Sequence, residues 1–218
     1  MKLKEYGVVK GLIYCESGLR IGGSKDSLEI GGLENTIIRH PVNGLPYIPG
    51  SSLKGKMRAL LEIKAGTYQK ESGRPCNCGK CDICRLFGCG EPKNSTEMTR
   101  LIFRDAMITE ESEKQLREVQ EEKGLNFAEI KSENWINRNT GKAGDRGLRT
   151  QERVPEGTTF KFEISIRIFE NDDPNLFRGK VKEGLALIQQ DYLGSSGSRG
   201  YGKIKFEKLT FNDAPFEV

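Results

Sequence analysis

Histidine is almost absent from this chain: His40 stands alone among 218 residues. That makes a Ser–His or Cys–His nucleophilic site a poor reading. No run of 18 apolar residues occurs, so no segment is built to cross a bilayer as a helix. The opening residues, MKLKEYGVVK, lack the apolar stretch of a secretory signal. A cytoplasmic location is therefore expected, where thiols stay reduced. Neither a GxxxxGK[ST] phosphate loop nor an HExxH metal helix is present. Internal repeats and low-complexity tails are missing too. Excess charge of one sign is small, since 35 Lys+Arg against 31 Asp+Glu leave +4. Any argument for an anionic partner must rest on where the charges sit.

Glycine and cysteine are what the chain has in quantity. There are 26 glycines, a share well above the usual ~7% and without a collagen period. They serve turns or places where backbone approaches something closely. Five of the six cysteines, Cys76, Cys78, Cys81, Cys84 and Cys89, fall within 14 residues. In CNCGKCDIC two consecutive C-x2-C steps can turn thiolates toward one ion, the beginning of a tetrahedral zinc site. Cys76 or Cys89 can complete it, with His40 a distant alternative. The set expected is Cys76, Cys78, Cys81 and Cys84, holding structural Zn²⁺.

Periodicity outlines an α+β chain. Leu3 to Tyr14 predicts a strand. Pro49 and Gly50 precede Ser51 and Ser52, which can cap a helix whose apolar face is Leu53, Met57, Leu60 and Leu61. Leu101 to Ile108 predicts one strand, and the Glu-rich residues 110–123 a solvated helix. Phe160, Phe162, Ile164, Ile166 and Ile168 alternate with mostly polar residues, the clearest strand signal in the chain. Val181, Leu185, Ile188 and Tyr192 mark a helix face, and Ile204 to Phe211 a closing strand. An antiparallel sheet with helices on one face follows. Residues 1–218 are expected to be one domain, with a Cys-rich insertion at 66–100 and a basic one at 126–155.

Three stretches can meet an anion. In SSLKGKMR the free N–H groups of a helix start adjoin Lys54, Lys56 and Arg58. An ordinary capped helix with solvated charges would look the same. In GSSGSRGYGKIKF glycines allow backbone approach beside Arg199, Tyr201 and Lys203. Residues 134–153 put Trp135 among Arg138, Lys142, Arg146, Arg149 and Arg153, the make-up of an extended arm or hairpin against nucleic acid, or of a plain surface loop. Asp26, Glu29 and Glu34 lie near glycines, where a carboxylate can hold a divalent ion beside a phosphodiester.

In order, GLRIGGS, GGLENTIIRHP, PYIPGSSLKGKMRALLE, CRLFG, RLIFRDA, SENWINRNTGKA, ERVPEGTTF and DYLGSSGSRGYGKI resemble the RAMP superfamily over nearly the whole chain. Within it they are most similar to the repeated backbone subunits of type III-A CRISPR Csm effector complexes. The resemblance implies a modified ferredoxin-like or RRM-like core carrying a lid and a thumb, the zinc belonging to an insertion. It implies binding of CRISPR RNA without sequence reading, stacking with further copies of the chain and other Csm subunits, and cutting of target RNA by metal-dependent 2′-hydroxyl attack, with Mg²⁺ or Mn²⁺. Carried onto this sequence, Ser52, Lys54 and Arg58 match the guide-binding helix and Arg20 the first glycine turn. Gly197, Ser198, Arg199 and Gly200 match the guide-facing loop, beside Tyr201 and Lys203. Residues 134–150, including Arg138, Thr140 and Lys142, match the thumb. The cleaving acid in such proteins is an Asp; here the segment reads GLENTII, so Glu34 takes its place, and a scaffold without cleavage is the alternative. Asn137 likewise stands where relatives carry Asp. A stand-alone processing ribonuclease and a zinc-stabilised module that never touches RNA are the other readings, told apart by RNA cutting and RNA binding of the isolated chain.

Overall fold

The computed structural model describes residues 2–23, 36–91, 97–124, 127–144 and 147–218. Its centre is strand β1 (Leu3–Cys15), paired antiparallel with β7 (Thr159–Phe169) on one side and β8 (Ile204–Phe211) on the other. The free edge of β7 is lined end to end by two short strands, β3 (Leu101–Phe103) and β4 (Ala106–Ile108). Helix α1 (Gly50–Ala65) follows β1 in this core and helix α4 (Pro174–Gln190) follows β7. The resulting β-α-β-β-α-β path, with β8, β1, β7 and β3/β4 side by side, is the ferredoxin-like arrangement. Two-residue strands β2 (Tyr47–Ile48) and β9 (Ala214–Pro215) extend the sheet at its two ends.

The alternation in β7 does what its period implies. Phe160, Phe162, Ile164 and Ile166 are buried, and they meet Val9 and Ile13 of β1 and the inner stripes of the helices. Those stripes are Leu53, Met57 and Leu61 on α1 and Phe177, Val181, Leu185 and Ile188 on α4. Asp173 caps α4 by accepting from the N–H groups of Asn175 and Leu176, and Pro174 starts the first turn.

Two local expectations change. Ser51 and Ser52 do not cap α1; the helix begins one residue earlier, at Gly50, and no side chain of the preceding residue caps it. Instead Asp105 accepts from the Gly50 N–H at 2.7 Å. The same contact explains why Leu101 to Ile108 is two strands rather than one. The strand is broken at Arg104, whose N–H still bonds the Glu163 carbonyl of β7, and Asp105, whose carboxylate reaches the helix start, where a negative charge is favoured.

Two segments depart from the core. Residues 66–100 carry the short helix α2 (Asp82–Phe87), whose Ile83, Leu86 and Phe87 are buried against the main core. Beyond β4 comes α3 (Glu110–Lys123), solvated except where Ser112 and Leu116 face inward. A separate two-stranded hairpin follows, β5 (Glu129–Glu133) with β6 (Arg149–Arg153).

Candidate nucleic-acid interface and metal centre

Three distant segments meet in one open cleft of about 330 Å³, lined by Arg20, Ile21, Gly22, Ser52, Lys56, Gly194 and Ser195. The Arg20 guanidinium donates to the Ser195 hydroxyl at 3.0 Å, and the Ser195 N–H donates to the Arg20 carbonyl at 2.9 Å. Gly194 lies at φ +80° with its α-carbon so near the Arg20 carbonyl that no β-carbon fits. The glycine turn and the glycine loop, 175 residues apart, are therefore stitched directly together, beside the first turn of α1. Ser195 is a member of this cleft that sequence reasoning passed over, although it sits inside the GSSGS run.

The cations on α1 have different duties. Lys54 forms no ion pair among the described residues, and burial, then the charge of Arg58, lower its pKa. Lys56 is engaged by Asp191 at 2.7 Å and lies 3.4 Å from the Tyr192 ring centroid. Arg58 donates to Glu62 and to the Cys76 carbonyl, both at 2.8 Å.

Within the closing loop, Ser198, Arg199, Gly200 and Lys203 are exposed and Gly197 is half-buried, its backbone against the Tyr192 ring. Lys203 is 3.6 Å from Glu16. Tyr201 is 1% exposed, so its ring has no face left for a base. It is clamped between Lys131, 4.5 Å from the ring centroid, and Arg153, at 5.1 Å. Burial, and then the facing Glu133 carboxylate, push its phenol up to about 12. Burial alone would raise Glu133. The Tyr201 hydroxyl and the charges of Arg199, Lys131 and Arg149 hold it below the ordinary carboxylate value. Arg199 itself pairs with Glu133 at 3.0 Å. This loop thus contributes a clamp for the hairpin as well as an exposed basic surface.

The hairpin presents Arg138, Thr140 and Lys142 at its exposed tip. Asn137 accepts there from the N–H groups of Asn139 and Thr140, a turn that an amide oxygen serves as well as a carboxylate. Trp135 lies against Gly144 and Gly147, where no side chain would leave room for its ring. Ile136 and Leu148 are 60% and 67% exposed beside it. On β6, Glu152 accepts from Arg39 at 2.8 Å and from the Ile37 N–H at 3.1 Å. Nothing in the sequence pairs Glu152 with a residue 113 positions away. Glu34, Glu29 and Asp26 lie outside the described residues.

The cysteine sulfurs of Cys76, Cys78, Cys81 and Cys84 all lie within 4.8 Å of one another. Cys76 to Cys81 and Cys78 to Cys84 are each 3.9 Å, close to the edge of a tetrahedron with Zn–S bonds of about 2.3 Å. Backbone N–H groups of Lys80 and Cys81 point at the Cys78 sulfur, and that of Cys84 at the Cys81 sulfur. The Lys80 and Cys81 N–H groups lower Cys78 to about 6, whereas burial raises Cys76 and Cys84. The donor set fits Zn²⁺, whose charge would offset that burial cost on binding thiolates. Cys89 turns its sulfur to the Asn77 carbonyl at 3.2 Å and is not in the group. His40 is not in it either; its ring meets Tyr47 edge-on. Among the described residues no helix is long and apolar enough to cross a membrane.

The chain is similar to known proteins. A family model described as the RAMP superfamily matches residues 12–205. Two archaeal proteins, each named CRISPR system Cms endoribonuclease Csm3, are 45% identical to the whole chain. The one from Methanothermobacter thermautotrophicus is covered over 90% of its length and the one from Methanocaldococcus jannaschii over 85%. A crystal structure of the Csm3–Csm4 subcomplex in the type III-A CRISPR-Cas interference complex superimposes with a TM-score of 0.63. It is 34% identical, over 97% of this chain and 80% of the solved one.

Proposed function

Because the chain belongs to the RAMP superfamily, we propose that it is a guide-RNA-binding backbone subunit of a type III-A CRISPR interference complex, acting in the cytoplasm as one RAMP domain spanning 1–218. The observation that carries the reading is the cleft in which Arg20, Ser52 and Ser195 meet from three separate segments. Its chemistry is that of phosphate and sugar contact: guanidinium, hydroxyls, backbone approached through glycine, and Lys54 nearby. None of these reads base identity, which suits a subunit that repeats along any guide. Gly197, Ser198, Arg199, Gly200 and Lys203 extend the same basic border, while Tyr201 aims it; Arg58, matched to the guide-binding helix by its sequence, is taken up by Glu62 and the Cys76 carbonyl. Residues 126–155 act as a thumb whose exposed Trp135, Ile136 and Leu148 wedge into a guide–target duplex, flanked by Arg138, Thr140 and Lys142 on phosphates. The Cys-rich insertion at 66–100 is held in shape by Zn²⁺.

Target RNA is cut beside each thumb. The 2′-oxygen of one nucleotide attacks the neighbouring phosphorus and the bond to the 5′-oxygen of the next nucleotide breaks. A divalent cation, Mg²⁺ or Mn²⁺, supplies charge stabilisation when bound, and Glu34 is the acid assigned to it. Glu is one methylene longer than Asp, and a misplacement near 1 Å can cost on the order of 100-fold. That substitution favours a second reading, a guide-binding scaffold without cleavage.

The assembled complex, given complementary RNA and Mg²⁺ or Mn²⁺, separates the two. Regularly spaced products that vanish with Glu34→Ala support cleavage. Products seen only with Glu34→Asp leave a scaffold. Guide binding is tested separately through single-stranded RNA and salt. Lys54→Ala should weaken RNA of any sequence alike and reduce the salt slope by about 0.7; an unchanged slope removes Lys54 from the phosphate path.

A further inference from the structure

Three of the four clustered cysteines are positioned by their own turn. Cys78, Cys81 and Cys84 lie within seven residues, and local N–H groups fix the sulfurs of Cys78 and Cys81. Cys76 has the Cys78 N–H near its sulfur but stands outside the turn itself. It lies upstream of the turn, between Pro75 and Asn77. Its two backbone polar groups are taken instead by side chains of α1. The Cys76 N–H donates to Glu62 Oε1 at 3.1 Å, and the Cys76 carbonyl accepts from the Arg58 guanidinium at 2.8 Å. Arg58 and Glu62 are themselves bonded at 2.8 Å, one helical turn apart. Glu62 is only 3% exposed, with no water to compete for it. The same Cys76 carbonyl also faces the Cys84 sulfur at 3.3 Å.

From this arrangement we infer that Arg58 and Glu62 are positioning residues for the metal centre: they clamp the main chain of Cys76 so that its thiolate completes the tetrahedron. The inference rests on the reading of the four cysteines as a metal site. It gives α1 two tasks, since Ser52 and Lys56 line the cleft while Arg58 grips the cysteine segment. A fork of N–H groups suits Arg58 to the work, because it can hold a carboxylate and a carbonyl at once. A lysine at 58 keeps the charge beside Glu62 but has one point of contact to share between them.

The test is metal affinity of the full chain, measured with Zn²⁺ against a chromogenic chelator and with Co²⁺ by its thiolate charge-transfer absorption. Arg58→Ala should weaken zinc by about 10- to 100-fold, the usual cost of losing a group that orients a ligand. Arg58→Lys should fall between Arg58→Ala and the unaltered chain while keeping the fold, which covers the case in which the alanine variant does not fold. Lys54→Ala should bind both ions as the unaltered chain does. Arg58→Lys and Glu62→Gln that both keep the original affinity and cobalt spectrum would overturn the inference, as would an equal loss in Lys54→Ala. An unaltered chain that takes up neither ion would end the metal reading itself, a result distinguishable from failure of the clamp alone.

Discussion

The two excursions from the sheet, the cysteine segment and the hairpin, are both rich in charge, yet they spend it differently. In the cysteine segment Arg85 and Arg100 are turned inward, while Lys70, Glu71, Arg74 and Lys80 stay at the surface. Arg100, 1% exposed, places its guanidinium across both oxygens of Asp172 in the β7–α4 turn at 2.9 and 3.0 Å. Arg85 joins the same carboxylate at 3.0 Å. Burial would raise Asp172, but the Arg100 bonds, the Phe169 N–H and the charge of Arg85 hold it below its ordinary value. The hairpin is bound at its root through Tyr201, Glu133, Arg153 and Glu152, and its tip residues Arg138, Thr140 and Lys142 are exposed. A basic residue is thus a fastening in one place and a contact surface in the other, and its surroundings decide which.

Breaking the inward set should have the largest effect. Arg100→Ala strands much of the Asp172 charge in a dry site, a loss of about 3–5 kcal/mol in urea unfolding. Asp172 has a depressed pKa when folded, so its contribution is present above the unfolded carboxyl value. It fades as pH falls through the lower folded one. The gap between Arg100→Ala and the unaltered chain should therefore narrow in acid below about pH 4. A gap independent of pH would mean that packing, not the ion pair, was lost.

Metal removal comes next. Zinc at about 100 times its Kd stabilises a chain by about 2.7 kcal/mol, which for this length is roughly 5–11 °C in Tm. Chelation should lower the melting temperature by that amount, and added zinc should restore it. Smaller still is the root of the hairpin. Tyr201→Leu removes two cation–ring contacts worth about 1–3 kcal/mol together. Amide exchange should quicken in β5 and β6 while β1 and β7 stay protected, and Tyr201→Phe should keep most of the protection. Smallest in stability is the open tip, where Arg138→Ala with Lys142→Ala should stay within about 0.5 kcal/mol. That pair should nonetheless lower the salt slope of RNA binding by about 1.4. A large loss of stability there would erase the contrast between the two excursions.

Much of this was legible in the residues. The β7 alternation, the α1 and α4 stripes and the C-x2-C steps each carry a period or spacing that local geometry alone explains. Residues whose partners are remote were not legible. Nothing near Tyr201 in the chain shows that Lys131 and Arg153 close over its ring, so a buried clamp reads like an exposed aromatic in a basic loop. Arg58 and Lys54 look equivalent on a helix wheel until the cysteine segment folds back across one of them. Asp105 looks like an interruption in a strand until α1 arrives to use it.

The central place of β1 also sets a timetable. Leu3 finds its partner at Phe169, and Cys15 at Ile204. Strand β1 therefore has no neighbour to pair with until about 145 more residues have been added, roughly 7–30 s at 5–20 residues per second. The helix, the cysteine turn and the hairpin can all form from local sequence in that interval, while the sheet that joins them closes only once β7 and then β8 have followed.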